Sequence, residues 1–143
     1  MNKCEFYISE GCTIQNFPAV AAGIIADIHR RYHSKYSRTL VICSDPPVLS
    51  KEIWKVPGFI PGVTADDPGA DVAPVVVAKH WISGFEIIVN TNLNNVSYSS
   101  DELSCSVLAD FSLKSNSEIL PACRSRYRQL KNCGIQPEPI SIP

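Results

Sequence analysis

Apolar residues recur every three or four positions in the segment that begins at Phe17, and this spacing predicts the longest helix of the chain. Asn16 precedes the segment as an N-cap, and Pro18 lies in the first turn, where a missing amide hydrogen does no harm. The apolar positions form one helical stripe, which comprises Phe17, Val20, Ala21, Ile24, Ile25, Ile28 and Tyr32. The sequence therefore predicts an amphipathic helix that runs to about Tyr36.

Four short apolar segments are typical of strands. Residues 4–9 and residues 38–44 are rich in aromatic and β-branched side chains, and turn residues follow each of them. Residues 74–81 and 85–90 are separated by Ile82-Ser83-Gly84, a connection of hairpin length that contains glycine. We predict a β-hairpin from this last pair.

Residues 100–114 fit two structures at once. Ser99 and Glu102 have the spacing of a helix-capping box, and the apolar side chains after them fit a helical stripe. The same residues also alternate apolar and polar, as in a strand. The capping box favours a helix. A further helix is indicated from Ile119 to Leu130, with Ser117 as its cap and Gly134 at its end.

These elements together predict an α+β fold. We expect a mixed sheet of about four or five strands, the amphipathic N-terminal helix, and one or two C-terminal helices. Residues 1–135 are predicted to be a single globular domain, and residues 136–143 an extended proline-rich tail. Residues 45–72 are predicted to be a long irregular segment, either a functional loop or a wrap over one edge, with one short helix near Ser50 to Lys55.

Composition excludes disorder and predicts a cytoplasmic protein. Of the 143 residues, 45% are apolar and 19% are charged, with a net charge of -1, which is typical of a globular domain. No run approaches the 18 consecutive apolar residues of a membrane span, and Glu5 interrupts the N terminus, so we expect neither a membrane span nor a signal peptide. The six cysteines are therefore expected to be reduced thiols, mostly buried.

Positive charge is concentrated in two segments. The end of the first predicted helix and the whole of the last one are basic, whereas residues 39–121 carry four lysines against ten acids. If the two helices pack side by side, their cations converge into a patch that grips phosphate or carboxylate. The residues of this patch are Arg30, Arg31, Arg38, Arg124, Arg126 and Arg128. The alternative is that cations near a helix end only offset its dipole.

The chain contains no sequence signature of a metal or cofactor site. His29 and His33 are four residues apart, which is weak evidence of a metal pair without a third ligand. Asp66, Asp67 and Asp71 are explained by turn chemistry beside proline and glycine. Cys12 precedes a helix but lacks a nucleophile motif. Glycine-rich phosphate motifs are absent, and we predict no metal and no cofactor.

One stretch resembles a known enzyme family. The run from Phe85 to Ala109 is similar to the strand, loop and capped helix that precede the zinc-binding motif of metallopeptidases. Asp110-Phe111-Ser112-Leu113-Lys114 stands where that family has H-E-x-x-H. The zinc ligands and the general base are therefore missing, and the resemblance implies no zinc chemistry here.

The sequence favours a binding or regulatory domain whose partner is a protein or a small anionic molecule held by the arginine patch. A second contact area is predicted at Trp54, Phe59 and Trp81, since tryptophan often anchors interfaces, with packing in the core as an equal alternative for Trp81. The alternative is a small hydrolase or transferase that acts on a phosphorylated or carboxylated substrate. In that case His29, His33 or His80 is the acid or base. Nucleic acid is disfavoured by the acidic middle of the chain, although nonspecific RNA binding stays open.

Overall fold

A single sheet of seven parallel strands forms the centre of the molecule. The computed structural model describes residues 1–58 and 61–143. The strands are β1 (Lys3–Ser9), β2 (Thr39–Ile42), β3 (Gly62–Thr64), β4 (Val75–Ala78), β5 (Ile87–Asn90), β6 (Val107–Leu113) and β7 (Glu138–Ile142). The helices are α1 (Phe17–Tyr36), α2 (Pro46–Lys55), α3 (Ser100–Leu103) and α4 (Leu120–Asn132).

The strand order is β3-β4-β2-β5-β6-β1-β7, and every neighbouring pair is parallel. Helices alternate with strands along most of the chain, so the fold is α/β and Rossmann-like. The predicted α+β fold with a mixed sheet of four or five strands is therefore wrong. Short, fully apolar strands such as β2 and β4 are the signature of a parallel sheet buried on both sides, where alternation is absent.

The predicted hairpin is the clearest error in the topology. Its two segments form β4 and β5, which do not pair with each other. Both pair with β2, one on each side, so that Leu40 lies opposite Val76 and also opposite Ile88. The connection between them passes over β2, which parallel neighbours require.

Residues 100–114, whose sequence fits both a helix and a strand, form a short helix followed by a strand. Ser99 and Glu102 form the predicted capping box, in which Ser99 Oγ accepts from the Glu102 amide. The helix ends at Leu103, however, and Val107–Leu113 form β6, where all seven residues are buried. The preference for a helix here was therefore right only for the first turn.

The sheet has two covered faces. The first face bears α1 and α2, whose buried residues such as Ile25 and Ile53 pack on Val41, Val89 and other strand residues. The second face bears α3 and α4, whose Leu103, Tyr127 and Leu130 pack on the alternate strand residues such as Leu108. The first of these clusters also includes Ile119 and Cys123, where the chain passes from β6 into α4.

The two long helices lie where the sequence predicts them. Phe17–Tyr36 form α1, and α4 extends to Asn132 before Gly134 turns the chain with a positive φ of 79°. Residues 45–72, predicted to be a long irregular segment, contain α2 and β3. The predicted extended tail is largely β7, which pairs with β1 at the edge of the sheet. No helix in the described part of the chain is long and apolar enough to cross a membrane.

Candidate functional site

The six arginines of the predicted patch are distributed over both faces of the sheet. Arg30 and Arg31 lie on α1, on the first face, and Arg38 precedes β2, where it donates to the carbonyls of Ala70 and Ala73. The other three lie on α4, on the second face. The sheet separates Arg30 and Arg31 from the α4 arginines, and Arg38 is engaged by the two carbonyls and lies over the Phe85 ring, so the six side chains do not converge on one surface.

Arg126 is a structural residue at the centre of the second face. Its side chain and that of Asp110 are fully buried, and their ion pair measures 2.7 Å from Nε to Oδ2. The guanidinium also donates to the carbonyls of Leu93, Asn95 and Phe111. Burial lowers the pKa of Arg126, but the charge of Asp110 and its hydrogen bond, together with nearby Tyr98 and Cys123, outweigh burial and raise the pKa. This arginine is therefore unavailable to a ligand.

Arg31 is occupied in a second network. Its guanidinium donates to both carboxylate oxygens of Glu5 at 2.9 Å and forms an ion pair with Asp27. Burial raises the pKa of Glu5, but hydrogen bonds from Arg31, Tyr7 and Tyr32 outweigh burial, and the pKa falls to about 2. The Glu5 carboxylate therefore ties β1 to α1.

The three histidines do not share a cleft with the arginines of α4. His29 is buried and contacts Thr39 Oγ1 at 2.8 Å, and burial lowers its pKa to about 4. His33 stacks on His29 with ring centroids 5.1 Å apart. His80 follows β4 at the carboxyl end of the sheet. No acid or base of the proposed kind therefore meets the α4 arginines.

The described residues contain no group of three or more histidine, cysteine or acidic side chains placed to hold a metal ion. In the acidic loop, Asp66 accepts from Thr64 Oγ1, and Asp67 accepts from the Gly69 amide. These are the contacts of turns.

All six cysteines are free thiols, and five are buried. Burial raises the pKa of Cys4 and of Cys105 to about 12, and it also raises the pKa of Cys12. Thiols with raised pKa values are poor nucleophiles at neutral pH. None of these three residues has the properties of a catalytic cysteine.

A Rossmann-like sheet usually binds phosphate at the N termini of its helices, where free amides point at the anion. Here each of the three longer helices has proline at its first or second position. Proline has no amide hydrogen to donate. Each of these helix N termini therefore has at least one amide donor fewer to offer an anion.

A wide opening lies on the second face, beside α4. The strands β1 and β7 extend beyond this helix, so Ile8 is only half-buried and Pro139 and Ser141 are exposed. A groove of about 670 Å³ results, and its floor is apolar. It is lined by Phe6, Ile8, Ser112, Lys114, Leu120, Cys123, Arg124, Tyr127, Arg128 and Lys131.

The wall of the groove carries a stripe of positive charge. Arg124, Arg128 and Lys131 are spaced four and three residues apart on α4, so they lie on one side of the helix. Arg124 and Arg128 are exposed, and neither makes a hydrogen bond or ion pair with another described residue. Lys114, at the other end, is paired with Glu10 at 3.1 Å. The groove therefore combines an apolar floor with unpaired guanidinium groups.

Two aromatic rings form part of the floor. Tyr127 meets the buried ring of Phe6 edge to face, with centroids 5.3 Å apart. The ammonium of Lys131 lies 5.7 Å from the centre of the Tyr127 ring. This arrangement places aromatic surface directly beside the cationic stripe.

Sequence reasoning identified Arg124 and Arg128 but missed Phe6, Ile8 and Tyr127. The spacing of Arg124, Arg128 and Lys131 was a signal for one helical side, whereas nothing in the sequence shows that β1 borders α4. The predicted aromatic contact area does not form a unit, because Trp54 is on α2 and Trp81 packs against the second face. Phe59 lies outside the described residues.

Comparison with known proteins adds no family to this picture. No family model matches the chain, and no curated protein has a significantly similar sequence.

Proposed function

We propose that this chain is a binding domain whose groove beside α4 takes an acidic peptide segment of a protein partner. The proposal rests on Arg124 and Arg128, whose guanidinium groups lie above the apolar floor and make no hydrogen bond or ion pair with other described residues. Such a surface suits a segment in which carboxylates stand next to an apolar side chain.

The shape of the groove favours a peptide over a small anion. Three cations spread along α4 from residue 124 to residue 131 span roughly 10 Å, at 1.5 Å per residue. A single phosphate is best held by donors that converge on a point, whereas a row of cations matches several carboxylates along a chain. The apolar floor offers a place for an aromatic or aliphatic anchor, which supplies much of the affinity of peptide complexes.

A cytoplasmic location is part of this proposal. It is supported by the free thiols, since oxidising compartments favour disulfides. The enzyme alternative receives no such support, because none of the three histidines is among the residues that line the groove.

The double variant Arg124→Ala/Arg128→Ala tests the proposal. The probe is a fluorescent peptide with four aspartates beside one phenylalanine, measured by fluorescence polarisation. We expect the double variant to weaken binding about tenfold or more, since each exposed charge contact contributes up to about 1 kcal/mol. Binding to the unchanged protein should also weaken as salt is raised.

The matched control is Lys35→Ala/Lys51→Ala, which removes the same charge from exposed positions on α1 and α2. It should leave the affinity within twofold. A peptide in which serine replaces the phenylalanine should bind less tightly, because it cannot fill the floor. Equal losses in the two double variants would reduce the effect to net charge and refute the proposal, as would the absence of binding.

A further inference from the structure

A second crevice lies at the carboxyl end of the sheet, away from the groove. Between the neighbouring strands β2 and β5 the connections diverge, because the chain leaves β2 for α2 on the first face and leaves β5 for α3 on the second. In open α/β sheets, ligands bind outside the carboxyl ends of strands at such a point.

The connections that follow β1 and β6 also lead to opposite faces of the sheet. At the carboxyl ends of these two strands, however, side-chain contacts occupy the space. Lys114 pairs with Glu10, Ser115 Oγ donates to the Cys12 carbonyl, and Ser9 Oγ donates to the Pro143 carbonyl. Between β2 and β5, in contrast, a crevice of about 440 Å³ opens on the second face. This volume is within the range of small-molecule sites.

One wall of the crevice is held rigidly. The buried guanidinium of Arg126 binds the carbonyls of Leu93 and Asn95, and the Gln129 amide group bonds to both backbone groups of Tyr98. The loop between β5 and α3 is therefore fixed in shape before any ligand arrives, which lowers the entropy cost of binding.

Four side chains of the crevice are donors without partners among the described residues. Lys79 and His80 follow β4 and are exposed, and neither they nor Asn95 and Ser97 use their side chains in a hydrogen bond or ion pair with other described residues. Trp81, which is half-buried, adds a flat aromatic surface. The acid of the crevice, Glu102, is engaged in the capping box.

We propose that this crevice binds a small phosphate ester that carries a planar ring, the chemistry of a mononucleotide. Lys79 and His80 face the phosphate, the Asn95 and Ser97 side chains donate to its remaining oxygens, and the ring lies against Trp81. A phosphate offers more acceptor oxygens than a carboxylate and so matches four donors better. In this crevice the donors are side chains and not the amides of a helix N terminus.

Calorimetric titration with adenosine monophosphate, adenosine and inorganic phosphate tests the proposal. Adenosine monophosphate should bind at least tenfold more tightly than either adenosine or phosphate, because only the complete molecule uses both parts of the crevice. Lys79→Gln should weaken this binding about tenfold, whereas Lys51→Gln, an exposed lysine of α2, should leave it unchanged. Trp81→Leu should weaken the binding of adenosine monophosphate but not that of phosphate.

The groove variant Arg124→Ala/Arg128→Ala separates the two sites. It should bind adenosine monophosphate like the unchanged protein, and its failure to do so would assign the anion to the groove. Equal affinities for adenosine monophosphate and phosphate, equal effects of Lys79→Gln and Lys51→Gln, or no heat of binding would each overturn the proposal.

Discussion

Arg126→Ala is expected to lower the free energy of unfolding by about 3–5 kcal/mol, which corresponds to a fall in Tm of roughly 10 °C or more. The substitution leaves Asp110 buried without its counter-ion, and its remaining donors are neutral: the side chains of Asn90 and Tyr98 and the Phe111 amide. It also removes the donors to the Leu93 and Asn95 carbonyls. Thermal and urea denaturation followed by circular dichroism measure the loss.

Arg124→Ala is the matched control, because it removes the same side chain from the same helix at an exposed position. Its effect should stay within about 0.5 kcal/mol. A double change to Arg126→Met and Asp110→Leu should recover part of the loss, since no unpaired charge then remains. An Arg126→Ala protein that unfolds within 1 kcal/mol of the unchanged one would show that the pair is not structural.

Glu5→Gln is expected to cost about 2–3 kcal/mol at neutral pH and to flatten the acid limb of the stability curve. The pKa of Glu5 is lowered from 4.5 to about 2 in the folded protein. Its contribution is therefore complete above pH 4.5 and is lost as the pH falls towards 2. Urea denaturation at a series of pH values, compared between the two proteins, measures the difference.

The control for this prediction is Glu10→Gln, which removes a carboxylate from an exposed ion pair with Lys114. It should change stability by less than 1 kcal/mol at any pH. His29 contributes separately, because its pKa of about 4 makes the protein lose stability as the pH falls from 6.5 to 4. If Glu5→Gln and the unchanged protein lost stability in parallel below pH 4.5, the account of Glu5 would be wrong.

Helices and strands were predictable where the apolar residues follow a single spacing along the sequence. The apolar stripe of α1 and that of α4 fit only a helix, and both helices form. The β4 and β5 segments were also recognisable as strands, but their partner was not, because pairing depends on contacts far apart in the chain. Uniform burial of Val75–Ala78 and Ile87–Asn90 was the sign of a parallel sheet rather than a hairpin.

The candidate site was predictable only in part, and for a physical reason. Arg124, Arg126 and Arg128 are equivalent as charges in the sequence, yet Arg126 faces the sheet and the other two face solvent. The acid that neutralises Arg126 is Asp110, which lies on a buried strand 16 residues away. Similarly, Glu5 engages Arg31 across 26 residues. Which cations stay free is therefore set by tertiary contacts.

The most direct test of the proposed function is a nuclear magnetic resonance titration of the ¹⁵N-labelled protein with the aspartate and phenylalanine peptide. The largest amide shifts are expected on residues 6–8, 112–114 and 120–131, which border the groove. Little change is expected along α1, on the opposite face of the sheet. Shifts concentrated on α1 or α2, or no shifts at peptide concentrations up to the millimolar range, would contradict the proposed function.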